Sequence, residues 1–145
     1  MFKKILCPVD FSEFTDEILE YAIDIAKRYS AELHLIHIIP NLNYFTPYES
    51  FFTPENLIVV EKNMETEVNK NYDDLMKKID VPAKKIIKNG TAFVEIIDYV
   101  RTESIDLIVM GTHGRTGLEH ILIGSVAERV VRKSPCPVLT VRPRS

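Results

Sequence analysis

Five short apolar runs rich in β-branched residues, at 5–9, 33–39, 85–87, 107–110 and 138–141, are separated by segments long enough to hold a helix. No other feature constrains the fold as strongly. The second, fourth and fifth runs are nearly continuous rather than alternating, as in strands buried on both faces of a parallel sheet. Helices must then cover both faces.

The intervening segments supply them. Phe14, Ile18, Ala22, Ile25, Ala26 and Tyr29 share one face of a helix that Ser12 is placed to cap, with Glu13, Asp16 and Glu17 suiting its first turn. Leu57, Val60, Met64, Val68, Tyr72, Leu75 and Ile79 recur at three- and four-residue steps and predict a long second helix over 54–79. Thr91 can cap a third helix displaying Phe93, Ile96, Ile97 and Val100. Leu122, Val126 and Val130 mark a fourth, which stops before Ser134-Pro135.

Strands joined by helical crossovers run parallel, and right-handed connections leave an open doubly wound α/β sheet. The expectation is a Rossmann-like or flavodoxin-like layering with five strands in the order 3-2-1-4-5 and about four helices, forming one domain over 1–145. Ligands of such sheets bind beyond the carboxyl ends of the strands, where the strand order reverses. The residues after the first and fourth strands are therefore the place to look.

After the fourth strand the chain reads Met110-Gly111-Thr112-His113-Gly114-Arg115-Thr116-Gly117, and Gly124-Ser125 opens the last helix. Four of the 5 glycines lie in this stretch. Glycine costs ordering entropy and is chosen where backbone must turn with positive φ or approach something closely. An anion is the natural partner. Gly111 and Gly114 would let the loop expose amide N–H groups. Gly124, Ser125 and Val126 at a helix start offer donors and the positive end of the dipole. Ser125 adds a hydroxyl, and Arg115 lends positive charge at the rim. The spacing is neither a Walker A loop nor Gly-x-Gly-x-x-Gly, which disfavours a P-loop NTPase or a dinucleotide dehydrogenase.

Gly111-x2-Gly114-x9-Gly124-Ser125 resembles the Gly-x2-Gly-x9-Gly-[Ser/Thr] signature of the ATP-binding universal stress proteins. Chance would produce this pattern on the order of once in a few hundred chains of this length. The opening Lys3-Lys4-Ile5-Leu6-Cys7-Pro8-Val9-Asp10-Phe11-Ser12 and the ending Ser134-Pro135-Cys136-Pro137-Val138-Leu139-Thr140-Val141 resemble that family as well, so the likeness spans the chain. It implies that Pro8, Val9 and Asp10 meet adenine and ribose, with Asp10 accepting from a ribose hydroxyl, and that a backbone group of Ile38 meets the adenine edge. It further implies that Met110, Gly111, His113, Gly114 and Arg115 follow the ribose and phosphates, and that Gly124, Ser125 and Val126 hold the phosphate tail. A carboxylate would repel phosphate, so Asp10 belongs at the sugar end, although it can also cap the first helical turn beside Ser12.

The implied function is an ATP-binding regulatory module of stress response with at most slow hydrolysis, Mg²⁺ bridging the phosphates. A genuine ATPase or nucleotidyl transferase is the alternative, but the chain shows no clear base, carboxylate pair or invading lysine. A nucleotide-free stress dimer acting by protein contacts is a further one. The short apolar strand at 138–141 should form a sheet edge, and the resemblance implies homodimers through it.

Other features bound the partners. A net charge of -3 and a pI near 5.8 supply no overall positive field for nucleic acid, and Arg129, Arg132, Lys133, Arg142 and Arg144 are accounted for by a solvated helix end and tail. No run has the length of a signal h-region or a membrane span, so a cytoplasmic protein without a membrane partner is expected. Cys7 and Cys136 lack C-x-x-C spacing and read as core thiols, with no metal site. His34 and His37, inside a strand, read as structural and His120 as surface. The aromatic segment 41–52, with Tyr44, Phe45, Tyr48, Phe51 and Phe52, is either a flap or a short extra helix.

Overall fold

In a computed structural model that describes residues 1–41, 54–113 and 123–144, the apolar runs become one parallel sheet ordered β3-β2-β1-β4-β5. Its strands are β1 (Lys4–Pro8), β2 (Glu32–Ile39), β3 (Ala83–Asn89), β4 (Leu107–Gly111) and β5 (Val138–Val141), alternating with α1 (Thr15–Tyr29), α2 (Pro54–Met76), α3 (Ala92–Thr102) and α4 (Ser125–Lys133). This is the expected doubly wound order. The winding runs β1, β2, β3 to one side, then returns past β1 to β4 and β5, so the switch point lies between β1 and β4.

The near-continuous runs feed two cores at once. Ile5, Cys7, Leu33, Leu35, Leu107 and Val109 point toward α1 and α2, where Ile18, Ala22, Val68, Tyr72 and Leu75 meet them. Leu6, Ile36, Ile108 and Met110 point the other way, toward Ile96, Val100, Ala127 and Val130 of α3 and α4. The edge strand β3 needs no such run, because Lys84, Lys85 and Lys88 stay exposed while it pairs with β2 from Leu33↔Ala83 to Ile39↔Asn89. Short apolar content at 85–87 therefore understated a strand of 7 residues.

Three helix details differ from expectation. Phe14, not Ser12, is the N-cap of α1, because Asp10 draws Ser12 into a preceding turn in which the Ser12 hydroxyl accepts the Phe14 N–H at 3.3 Å. Tyr29 leaves the core face and lies edge-on against Phe2, 4.9 Å between centroids. Val126 is exposed, and α4 buries Ala127 in its place, with Val130 buried as expected. Thr91 occupies the N-cap position of α3 but makes no side-chain cap hydrogen bond, and α2 ends at Met76 with Ile79 still packed on the core beyond it. Cys7 is buried and Cys136 half-buried. The segment 42–53, Leu122 and His120 lie outside the described residues.

Candidate functional site

Beyond the carboxyl ends of β1, β2 and β4 the structure opens a cleft of about 320 Å³, closed by the first turns of α3 and α4. It lies at the switch point. Pro8, Val9, Asp10, Ile38, Met110, Gly111, His113, Gly124, Ser125 and Val126 all line it, so ten of the twelve residues singled out in the sequence converge there. The other two, Gly114 and Arg115, lie outside the described residues.

On the β1 side the chain is tied down at each residue. The Val9 N–H donates to Ile36 O at 2.9 Å, and His37 Nδ1 lies 2.7 Å from the Val9 carbonyl. Because a carbonyl only accepts, that nitrogen carries the proton. Asp10 Oδ1 accepts the Ser12 N–H at 2.9 Å and the Thr15 hydroxyl at 3.3 Å, which orients the carboxylate before any ligand arrives. Asp10 thus braces the turn that enters α1 and lines the cleft.

On the β4 side backbone dominates. Thr112 donates its N–H to Val141 O at 2.9 Å and accepts from the Gly124 N–H at 2.5 Å, which brings the start of α4 against the end of β4. The first intrahelical bond of α4 is Glu128 N–H to Gly124 O at 3.0 Å, so the amides of Ser125, Val126 and Ala127 precede the helical ladder beside the cleft. Thr112 Oγ1 and His113 Nδ1 are 2.9 Å apart, which sets the orientation of that imidazole. Gly111 also packs closely against α1. A Cβ there would come within 2.5 Å of Ile18 Cδ1, so glycine allows α1 to press on β4, and its φ is not in the left-handed region. Gly90 is the described glycine with positive φ, at 145°.

Sequence reasoning missed several lining residues, among them Thr15, Ile18, His37 and Thr112. His37 is the instructive one. Strand membership marked it as structural, and the position of β2's carboxyl end within the sheet is what brings it to the cleft. His34, three residues earlier, is indeed structural: it is 1% exposed, with Nδ1 2.7 Å from Tyr99 Oη and Nε2 2.5 Å from Glu32 Oε1. Cys7, beneath the β1 end, is fully buried, and that burial, with Asp10 adding to it, pushes its thiol up to about 12, away from the thiolate. The cleft thus combines an apolar wall of Val9, Ile38, Ile96 and Met110, one oriented carboxylate and a helix N-terminus. Such a set suits a ligand with a flat apolar part, hydroxyls and an anionic tail.

A family model described as the universal stress protein family matches residues 1–142. Universal stress protein MJ0531 of Methanocaldococcus jannaschii is 35% identical over 142 residues, covering 98% of this chain and 83% of that protein. MJ0577 of the same organism is 35% identical over 158 residues, covering 98% and 96%. Its solved structure matches at a TM-score of 0.81 and 33% identity over 100% of this chain and 99% of that one. The UspA structure from Lactobacillus plantarum matches at 0.80 and 26% identity over 97% and 98%.

Proposed function

Since the chain belongs to the universal stress protein family, we propose that its cleft binds ATP and that the protein acts as a nucleotide-responsive regulatory module in stress response. One observation carries the reading: Asp10 and the amides of Ser125 to Ala127 flank a single cleft across the switch point, a carboxylate on one side and a helix N-terminus on the other. A ribose diol suits the first and phosphates suit the second. Adenine would rest on the apolar wall, with the backbone of Ile38 at its edge. His113, with Gly114 and Arg115, would follow the phosphates.

Mg²⁺ would draw its ligands mainly from phosphate oxygens and water. The same donor set argues for binding over turnover. Asp10, the carboxylate among the described lining residues, is engaged by Ser12 and Thr15, and at the sugar end it would lie away from an attacking water at the γ-phosphate. At most slow hydrolysis follows. We further propose a cytoplasmic homodimer joined through β5, which pairs with β4 at one edge of the sheet and leaves Leu139 37% exposed.

The reading is tested by chromatography of nucleotide released from the purified protein, together with thermal melts with and without Mg-ATP. Ligand at about a hundred times its dissociation constant should add about 2.7 kcal/mol. Absence of both a released nucleotide and a shift would refute ATP binding, and single-turnover hydrolysis measures the rate.

A further inference from the structure

Among the described residues, Phe11, Ser30 and Ser104 are the non-glycine positions with left-handed backbone, at φ of 58°, 52° and 54°. Ser30 is the C-cap of α1, and Ser104 follows the C-cap of α3, where this conformation is routine. Phe11 is the exception. It is bulky, it closes no helix, and it adjoins the carboxylate that lines the cleft. A residue persists in such a conformation only where its surroundings over-determine it, and such positions gather at functional sites.

The surroundings are specific. The Phe11 ring lies 4.8 Å from the His37 ring at 41° and 5.1 Å from the Tyr72 ring at 88°. Tyr72 is fully buried, its hydroxyl 2.8 Å from Ile86 O and 3.1 Å from Leu35 O, so it is anchored to β2 and β3 at once. His37 grips the same turn from the other side through the Val9 carbonyl at 2.7 Å. Val9, Asp10 and Phe11 are thus held by one imidazole that bonds the first and backs the third.

We propose that His37 is a positioning residue for the nucleoside: its Nδ1–H and ring keep the strained turn at residues 9–11 in the form that presents Asp10 to the ribose. The inference rests on the ATP reading and adds a determinant that touches the turn rather than the phosphates. Loss of the Nδ1–H leaves the Val9 carbonyl without its donor and lets the turn relax, so Asp10 swings away from the sugar. The phosphate end, built on β4 and α4, stays as it is.

Calorimetry with ATP, adenosine and inorganic tripolyphosphate on the wild type, His37→Leu and His37→Asn separates the possibilities. The proposal predicts that His37→Leu weakens ATP and adenosine by the same factor, about five- to tenfold, and leaves tripolyphosphate unchanged. His37→Asn, whose amide can donate near the Nδ1 position, should return adenosine to within about twofold of wild type. Wild-type adenosine affinity in His37→Leu would overturn the proposal, as would an equal loss for tripolyphosphate, which marks general damage. If His37→Leu does not fold, the ¹⁵N shifts of the wild-type imidazole decide. Movement on adding adenosine but not tripolyphosphate supports positioning, and no movement with adenosine overturns it. A wild type that binds none of the three ligands removes the ATP reading itself, a result distinct from a variant that binds like wild type.

Discussion

The two sides of the cleft are built by different means. The β1 side is a side-chain construction: Asp10, Ser12, Thr15, His37 and Phe11 brace one another across β1, β2 and α1. The β4 side is a backbone construction, in which Thr112 joins Val141 and Gly124, and the start of α4 offers its leading amides. Side chains can discriminate a sugar and a base by shape and hydrogen-bond pattern, whereas backbone amides at a helix start favour negative charge of any source. The first side should therefore govern which nucleotide binds and the second how tightly its phosphates are held.

The sharpest way to break this comparison is at the phosphate side. Gly124→Asp fits the observed φ of -72° and ψ of 163° and puts a favoured N-cap residue on α4, yet sets a carboxylate among the phosphate donors. ATP affinity should fall about a hundredfold while the melting temperature holds or rises, as calorimetry and thermal melts would show. Unchanged affinity in that variant would place the phosphates elsewhere. A smaller effect is expected at the nucleoside side. Asp10→Ala removes the acceptor of Ser12 and Thr15, so ATP should weaken about tenfold, with about 1 kcal/mol lost in stability. The loss should be larger for ATP than for 2′,3′-dideoxy-ATP, and an equal loss for both would separate Asp10 from the ribose.

The smallest effect lies at the opposite end of the sheet, away from the cleft. The hydrogen bond from His34 holds the Glu32 carboxyl below its ordinary range, against the opposing pull of desolvation. Burial raises Asp106, but the N–H groups of Lys3 and Lys4 outweigh it and hold that carboxyl low too. A depressed carboxylate contributes stability that is present above its unfolded value, about 4, and is lost as pH falls through the lower folded value. Melting temperature should hold from neutral pH to about 5 and decline below it. Glu32→Gln should make that decline shallower, and an unchanged acid slope would show that the His34 contact contributes nothing.

The sequence displayed these regions unequally. The winding was legible because strands buried on both faces must be apolar at nearly every position, and the amphipathic repeats between them are regular. The β4 side was legible because its glycines stand at a fixed spacing, which is visible in one dimension. Gly111 shows the limit of that inference: the residue was found, but the close approach of Ile18 to it belongs to packing between α1 and β4. His37 was read as structural because a histidine in a strand carries no mark of which end of the sheet it reaches. Its role depends on the Val9 carbonyl 28 positions away in sequence. The strain at Phe11 has no sequence signature, since a phenylalanine there reads as one more apolar residue. Edge strand β3 was undersized for a similar reason, its exposed lysines concealing the pairing that defines it.

The central claim is that one cleft holds the nucleoside at β1 and the phosphates at α4, and two-dimensional amide NMR during a Mg-ATP titration tests it most directly. A competing groove of about 440 Å³ exists beside β3, lined by Ile39, Ile58, Glu61, Glu65 and Ile87 and sharing no lining residue with the cleft. The account predicts saturable shifts concentrated at residues 9–12, 110–113 and 124–127. Shifts confined to residues 58–65 and 87–89, or no shifts at millimolar ATP, would contradict it.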